Sequence, residues 1–246
     1  MNEASIEKMN RLKLYGMQKT FQTILETRQH QTLTNDELVS MLLQAEWEDR
    51  ENRKINRYLR AAKFRYQASV ESIDFLASRN LDKNLVLRLA DCSFIKRNEN
   101  LLATGPTGVG KSYIISALGH QACFKGYKTA YYNTQKLFGK LKMMKADGSY
   151  WNEINRIERQ DLLILDDFGL KPFDAQNRMM LLEIIEDRHE RKSTIISSQL
   201  PVEKWYDIIG ESTIADAILD RMAYSSHRIE LKGNSLRKNK KLENKN

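Results

Sequence analysis

Residues 105–112 read Gly-Pro-Thr-Gly-Val-Gly-Lys-Ser, the pattern G-x-x-x-x-G-K-S, and no other stretch restricts the fold of this chain as strongly. The pattern works only as a turn between a strand and a helix. Both flanks are legible. The apolar run Asn100–Gly105 precedes it, and Tyr113, Ile114, Ala117, Leu118 and Ala122 recur at helical spacing after it. Side chains are absent at Gly105, Gly108 and Gly110, so the backbone can wrap a phosphate closely. Its N–H groups then form an anion nest at the positive end of the next helix. Gly105, Pro106, Thr107, Gly108, Val109, Gly110, Lys111 and Ser112 are therefore expected to hold ATP. Lys111 would reach the β- and γ-phosphates, and the Ser112 hydroxyl would ligate Mg2+.

From residue 99 onward, strand and helix signals alternate. Strands are expected at Asn100–Gly105, Lys128–Thr134, Asp161–Asp167, Ser193–Gln199 and His227–Lys232. Helices are expected at Lys111–Lys125, Gln135–Ala146, Ala175–His189 and Ile214–Met222. The alternation predicts an α/β fold, a parallel sheet with helices on both faces. In the third strand Leu162–Leu165 are all apolar, and two acids follow at the carboxyl edge, where ligands bind in such sheets. Asp166 is expected to hold Mg2+ through water. Asp167, one residue on and so on the opposite face of an extended strand, is expected to orient or deprotonate the attacking water. The next strand ends in Ser198 and Gln199, either of which suits a contact to the γ-phosphate or the water. Phosphoryl transfer also gains from an arginine, often a neighbouring subunit's. Arg221, Arg178 and Arg188 compete for that role, and the spacing of Arg221 suits a surface ion pair equally well.

Before residue 75 strand signals are absent. Ile6, Met9, Leu12, Leu14, Met17, Phe21, Ile24 and Leu25 fit one helical stripe. Thr34 and Glu37 form a capping box for a helix with Leu38, Met41, Leu42 and Ala45 on its apolar side. Arg50, Arg53, Lys54, Arg57, Arg60, Lys63 and Arg65 then recur at helical spacing, predicting a long basic helix. Pairs such as Glu46–Arg50 and Asp49–Arg53 account for a solvated face. Acids cease at Glu51, and the wholly basic remainder favours contact with phosphates. Residues 68–98 read as short helices. The expected organisation is a helical N-terminal domain at 1–75, a core at 76–233 and a basic tail at 234–246. The net charge of +8 suggests a polyanionic partner. Eleven glycines and three prolines leave few obligatory turns, which favours helices over a β sandwich. Two cysteines without CxxC spacing argue against a disulfide framework or a zinc site. No apolar stretch approaches 18 residues, so no membrane span is expected and a cytoplasmic location is.

The strings GPTGVGKS, LLILDDFG, TIISSQLPVEKW and AILDRM, in this order, resemble the IstB-type helper ATPases of bacterial insertion sequences. Those are AAA+ ATPases related to DnaC-type helicase loaders. RLKLYGM and LLQAEWEDRENRKINRYLRAAKF resemble the helical N-terminal domain of that family. The resemblance implies an AAA+ P-loop core with a five-stranded parallel sheet, preceded by a small all-α domain. It implies that Gly105–Ser112 is the Walker A loop and that Asp166 and Asp167 are the Walker B acids. Ser198-Gln199 falls at the sensor-1 position, Arg221 at the arginine finger, and Arg237 near a sensor-2-like arginine. Many relatives carry Glu where Asp167 stands, and the shorter reach predicts slow hydrolysis. The implied activity is that of an ATP-dependent, DNA-binding ATPase that forms a homo-oligomer on double-stranded DNA and assists a transposase. A helicase loader, a small-molecule P-loop kinase and a DNA architectural protein are the rival readings.

Overall fold

The expected strands form one sheet in the computed structural model, which describes residues 2–75, 79–223 and 226–236. They are β1 (Asn100–Thr104), β2 (Thr129–Asn133), β3 (Leu162–Phe168), β4 (Ser193–Ser198) and β5 (Ser226–Glu230). All pairings are parallel, in the order β2-β3-β4-β1-β5. Alternation along the strands feeds two cores. Leu101, Ala103 and Ile164 face one together with Val86, Phe94, Ile114 and Leu118. Leu102, Leu163 and Leu165 face the other together with Phe138, Ile154, Leu181 and Trp205. Both faces are thus buried, as the continuous apolar run of β3 requires.

The helices α6 (Lys111–Phe124), α7 (Thr134–Ala146), α9 (Ala175–Arg188) and α11 (Ser212–Ala223) lie where the periodicity places them. Two more, α8 (Tyr150–Glu158) and α10 (Trp205–Ile209), were not anticipated. Tyr150, Ile154 and Ile157 are the buried stripe of α8. Arg188 is withdrawn from any catalytic role. It is 1% exposed and donates to the carbonyls of Ile157, Gln160 and Ser193 and to Thr194 Oγ1. Burial pulls its pKa down to about 9. Arg178 likewise donates to the Phe173 and Ile209 carbonyls. Cys92 and Cys123 are free and buried, and burial pushes both thiols up to about 11.

The chain forms two compact units that meet in sequence between Arg57 and Tyr58. The boundary anticipated at residue 75 therefore falls inside the second unit. In the first, the single stripe anticipated from Ile6 to Leu25 is two helices, α1 (Asn2–Arg11) and α2 (Tyr15–Glu26). Lys13 adopts a left-handed conformation, φ 59°, and breaks the run. The capping box is present: Thr34 N donates to Glu37 Oε2 at 2.8 Å, and Glu37 N to Thr34 Oγ1 at 3.3 Å. The helix it starts, α3 (Asn35–Ala62), is one uninterrupted span, ended by Lys63 at φ 56°. Phe64, Arg65 and Tyr66 lie beyond it.

Gly16 explains why the RLKLYGM and AEWEDREN strings occur together. A Cβ at Gly16 would overlap the Ala45 carbonyl, so α2 and α3 approach as only glycine permits. No side chain at Leu14 caps α2. Glu46 of α3 does so instead, its Oε2 accepting from Gly16 N at 2.9 Å and Met17 N at 3.3 Å. Its Oε1 accepts from Arg50 Nε at 2.6 Å.

In the second unit α4 (Lys83–Ala90) and α5 (Ser93–Lys96) match the short helices anticipated. Residues 67–75 are not helical. Residues 76–78 and 237–246, with Arg237 and most of the basic tail, lie outside the described residues. Among the described residues no helix is long and apolar enough to cross a membrane.

Candidate nucleotide site

The phosphate loop leaves β1, which the sheet order places between β4 and β5. Gly108 and Gly110 sit at φ 86° and 99°, conformations that an L side chain rarely adopts. Gly110 is the N-cap of α6, and no side chain caps that helix. Its first N–H groups are therefore directed into the loop, the arrangement that binds an anion. Lys111 is 7% exposed, and its Nζ donates to the carbonyls of Gly105 and Pro106 at 2.7 and 2.8 Å. The ammonium is thus held inside the loop.

Gln199, at the tip of β4, reaches this loop, accepting from Thr107 Oγ1 at 2.6 Å. Ser198 is turned inward. It donates to the Phe168 carbonyl and accepts from Leu200 N. Leu236 N donates to the Gly108 carbonyl at 3.0 Å, so the chain after β5 also meets the loop. Arg79 was not anticipated. It is 5% exposed and donates from Nη2 to the Val109 carbonyl at 2.8 Å.

The aspartates depart from the expected alternation. Asp167 sits at φ 57°, within an irregularity of the β3–β4 pairing between Leu165 and Phe168. That twist brings its carboxylate to the same side as Asp166. Arg65 Nη1 lies 3.1 Å from Asp167 Oδ2 and 3.6 Å from Asp166 Oδ2. Asn133 Nδ2 donates to Asp167 Oδ2 at 2.9 Å, and the Tyr131 hydroxyl donates to Asp166 Oδ2. Burial, reinforced by the Asp166 charge, pushes the Tyr131 phenol well above its ordinary range, so it stays a donor. Asp166 is 1% exposed, and its Oδ1 is buried with no hydrogen-bond partner.

Tyr131 and Asn133 lie on β2 beside β3, with Asn133 opposite Asp166 in the register. Their period-2 spacing on the strand before the aspartates was the available signal. Arg65 was visible only as one member of a basic run. Arg221 stands apart from this group, with Nη2 donating to Glu186 Oε1 at 2.9 Å and Nη1 to the Ala217 carbonyl at 2.8 Å. Within one chain, the ion-pair reading of Arg221 is the one observed.

The residues present fit a magnesium nucleotide. An orphaned, buried carboxylate oxygen suits a cation, and an uncapped helix start behind a glycine loop suits a phosphate. Among the described residues no group of three or more His, Cys, Asp or Glu could hold a metal on its own. Mg2+ is usually bound by one or two carboxylates together with phosphate oxygens and water.

Sheet order, glycine loop and paired aspartates together define a P-loop ATPase. Solved structures share the fold of its core. The DnaC helicase loader superposes with a TM-score of 0.55 at 20% identity, over 72% of this chain and 99% of that one. AMPPCP-bound DnaA from Aquifex aeolicus gives 0.57 at 17% identity, over 74% and 56%. The chain belongs to the IstB-like ATP binding protein family, whose model matches residues 7–244. An insertion-sequence ATP-binding protein of Sinorhizobium fredii is 43% identical over 96% of this chain and 97% of its own length. The IS1162 ATP-binding protein of Pseudomonas fluorescens is 37% identical over 82% and 87%.

Proposed function

We propose that the chain assembles on double-stranded DNA when ATP is bound and assists the transposase of its own insertion sequence in target selection or activation. The observation that carries this reading is the distribution of the site. One chain supplies the loop, Ser112 and both aspartates, while its Arg221 is bonded to Glu186 and Ala217. A neighbouring copy's Arg221, released from Glu186, would supply the transition-state arginine. Such head-to-tail contacts build rings or helical filaments.

Ser112 and Asp166 would hold Mg2+, and Lys111 the β- and γ-phosphates. Gln199 would register the γ-phosphate through the loop it already touches. Asp167, oriented by Asn133, would accept a proton from the attacking water, and its short reach suits slow turnover in a cytoplasmic regulator. The basic residues that follow Glu51 along α3 and the net charge of +8 support phosphate contacts. Binding would then be weakly sequence-specific and would fall steeply with salt. The insertion-sequence names of the relatives support a transposase as the partner.

The test is sedimentation of the chain with short duplex DNA under ATP, ADP or no nucleotide, with Lys111→Ala as control. A large complex formed only by the wild type with DNA and ATP is expected. A monomer under every condition would overturn the assembly model. Retention of a replicative helicase in place of a transposase would favour a loader.

A further inference from the structure

Arg65 plays no part in the phosphate loop, yet its guanidinium spans the two aspartates. Asp166 is 1% exposed, and a carboxylate so far from water needs donors or a cation. Tyr131 and Arg65 serve one of its oxygens, and the other has no partner. Mg2+ places its own oxygen shell about 2.1 Å away and keeps several waters. A guanidinium and a divalent cation held on the same pair of carboxylates repel each other where solvent is scarce, so each weakens the hold of the other.

The segment carrying Arg65 is built for exchange. Its backbone is fixed by Phe64, whose ring occupies the space a Cβ of Gly119 would need and lies 4.3 Å from the His120 ring. The Arg65 side chain itself is 41% exposed, so solvent can receive its guanidinium, which also lies over the Tyr66 ring, 5.6 Å from the centroid. We propose that Arg65 is a positioning residue that stands in for the metal, holding Asp166 and Asp167 together until the magnesium arriving with ATP displaces it. Metal entry must then overcome an ion pair, which the nucleotide's phosphates make possible and free metal alone does not. This inference rests on the ATPase reading of the site.

The test measures affinity for a fluorescent ATP analogue with EDTA and with saturating Mg2+, in the wild type, Arg65→Gln and Arg65→Lys. The ratio of the two affinities reports how much the metal contributes. It should rise about tenfold in Arg65→Gln, where no cation competes, and stay near the wild-type value in Arg65→Lys. An unchanged ratio in Arg65→Gln would overturn the proposal. So would equal weakening of binding with and without metal, which would make Arg65 a phosphate ligand. A wild-type chain that binds neither form would overturn the nucleotide site and the proposal with it. A second readout needs no variant: arginine modification by phenylglyoxal, mapped by mass spectrometry. Arg65 should react several-fold faster with Mg2+ and ATP than with ATP and EDTA, and equal rates would overturn the exchange.

Discussion

Among the carboxylates withdrawn from water, one from each unit can be compared, and the two are finished differently. Glu46 is 6% exposed, and both of its oxygens are engaged, by two backbone N–H groups of α2 and by Arg50. Asp166 is 1% exposed and keeps one oxygen without a partner. A satisfied buried charge holds elements together. An unsatisfied one is costly to the fold and is retained for what it can bind. On the function proposed above, Glu46 is a structural residue and Asp166 a chemical one, and the two can be separated by experiment.

The largest effect should come from Asp166→Asn. ATP turnover should fall on the order of 10³-fold, about 4 kcal/mol of transition-state stabilisation, while the melting temperature moves by only a degree or two. A large loss of stability with turnover retained would reverse the assignment. Asp167→Asn should be next, with turnover lower by about 10²-fold, ATP affinity intact and complexes that persist on DNA. Rapid release by this variant would remove Asp167 from the hydrolytic step. Glu46→Ala should show the opposite pattern, losing about 2–3 kcal/mol of stability because the start of α2 and Arg50 both lose their partner. Nucleotide affinity, read with the same ATP analogue, should be unchanged.

The contrast also explains what the sequence could reveal. The phosphate loop was legible because eight consecutive residues, a strand and a helix carry all of its geometry. The central strands were legible because β1 and β3 carry apolar runs, Leu101–Ala103 and Leu162–Leu165, and β4 carries the β-branched run Thr194–Ile196. The environment of the aspartates was not. Arg65 comes from 102 residues away and Asn133 from 34, so no local window contains them. The side on which Asp167 lies was misjudged for a different reason. Strand periodicity assumes extended backbone, and φ 57° at Asp167 breaks it. Lys13 defeated the helical stripe of residues 6–25 in the same way. The division between the two units lies between Arg57 and Tyr58, inside the uninterrupted helix α3, so no turn signal in the sequence marks it.

The smallest effect expected is one of pH, and it isolates Glu46. Burial pushes this carboxyl up, but the Arg50 hydrogen bond and the N–H groups of Met17 and Gly16 outweigh it, so its pKa lies below the ordinary value. In the unfolded chain Glu46 returns to about 4.3. A group whose pKa is lowered by folding stabilises the fold above its unfolded pKa, and that contribution disappears as pH falls through the folded value. Other carboxylates, Glu37 and Asp174 among them, are also lowered and titrate in the same region. The melting curve of the wild type alone therefore cannot assign the effect. The difference between wild type and Glu46→Gln can, because the other groups cancel. That difference should be constant from pH 7 to about 5 and should shrink below about 4 as Glu46 itself becomes neutral. A difference that persists at low pH would mean that shape and packing at the Gly16 contact, not the charge, join α2 to α3, and Glu46 would then lose its place in the comparison.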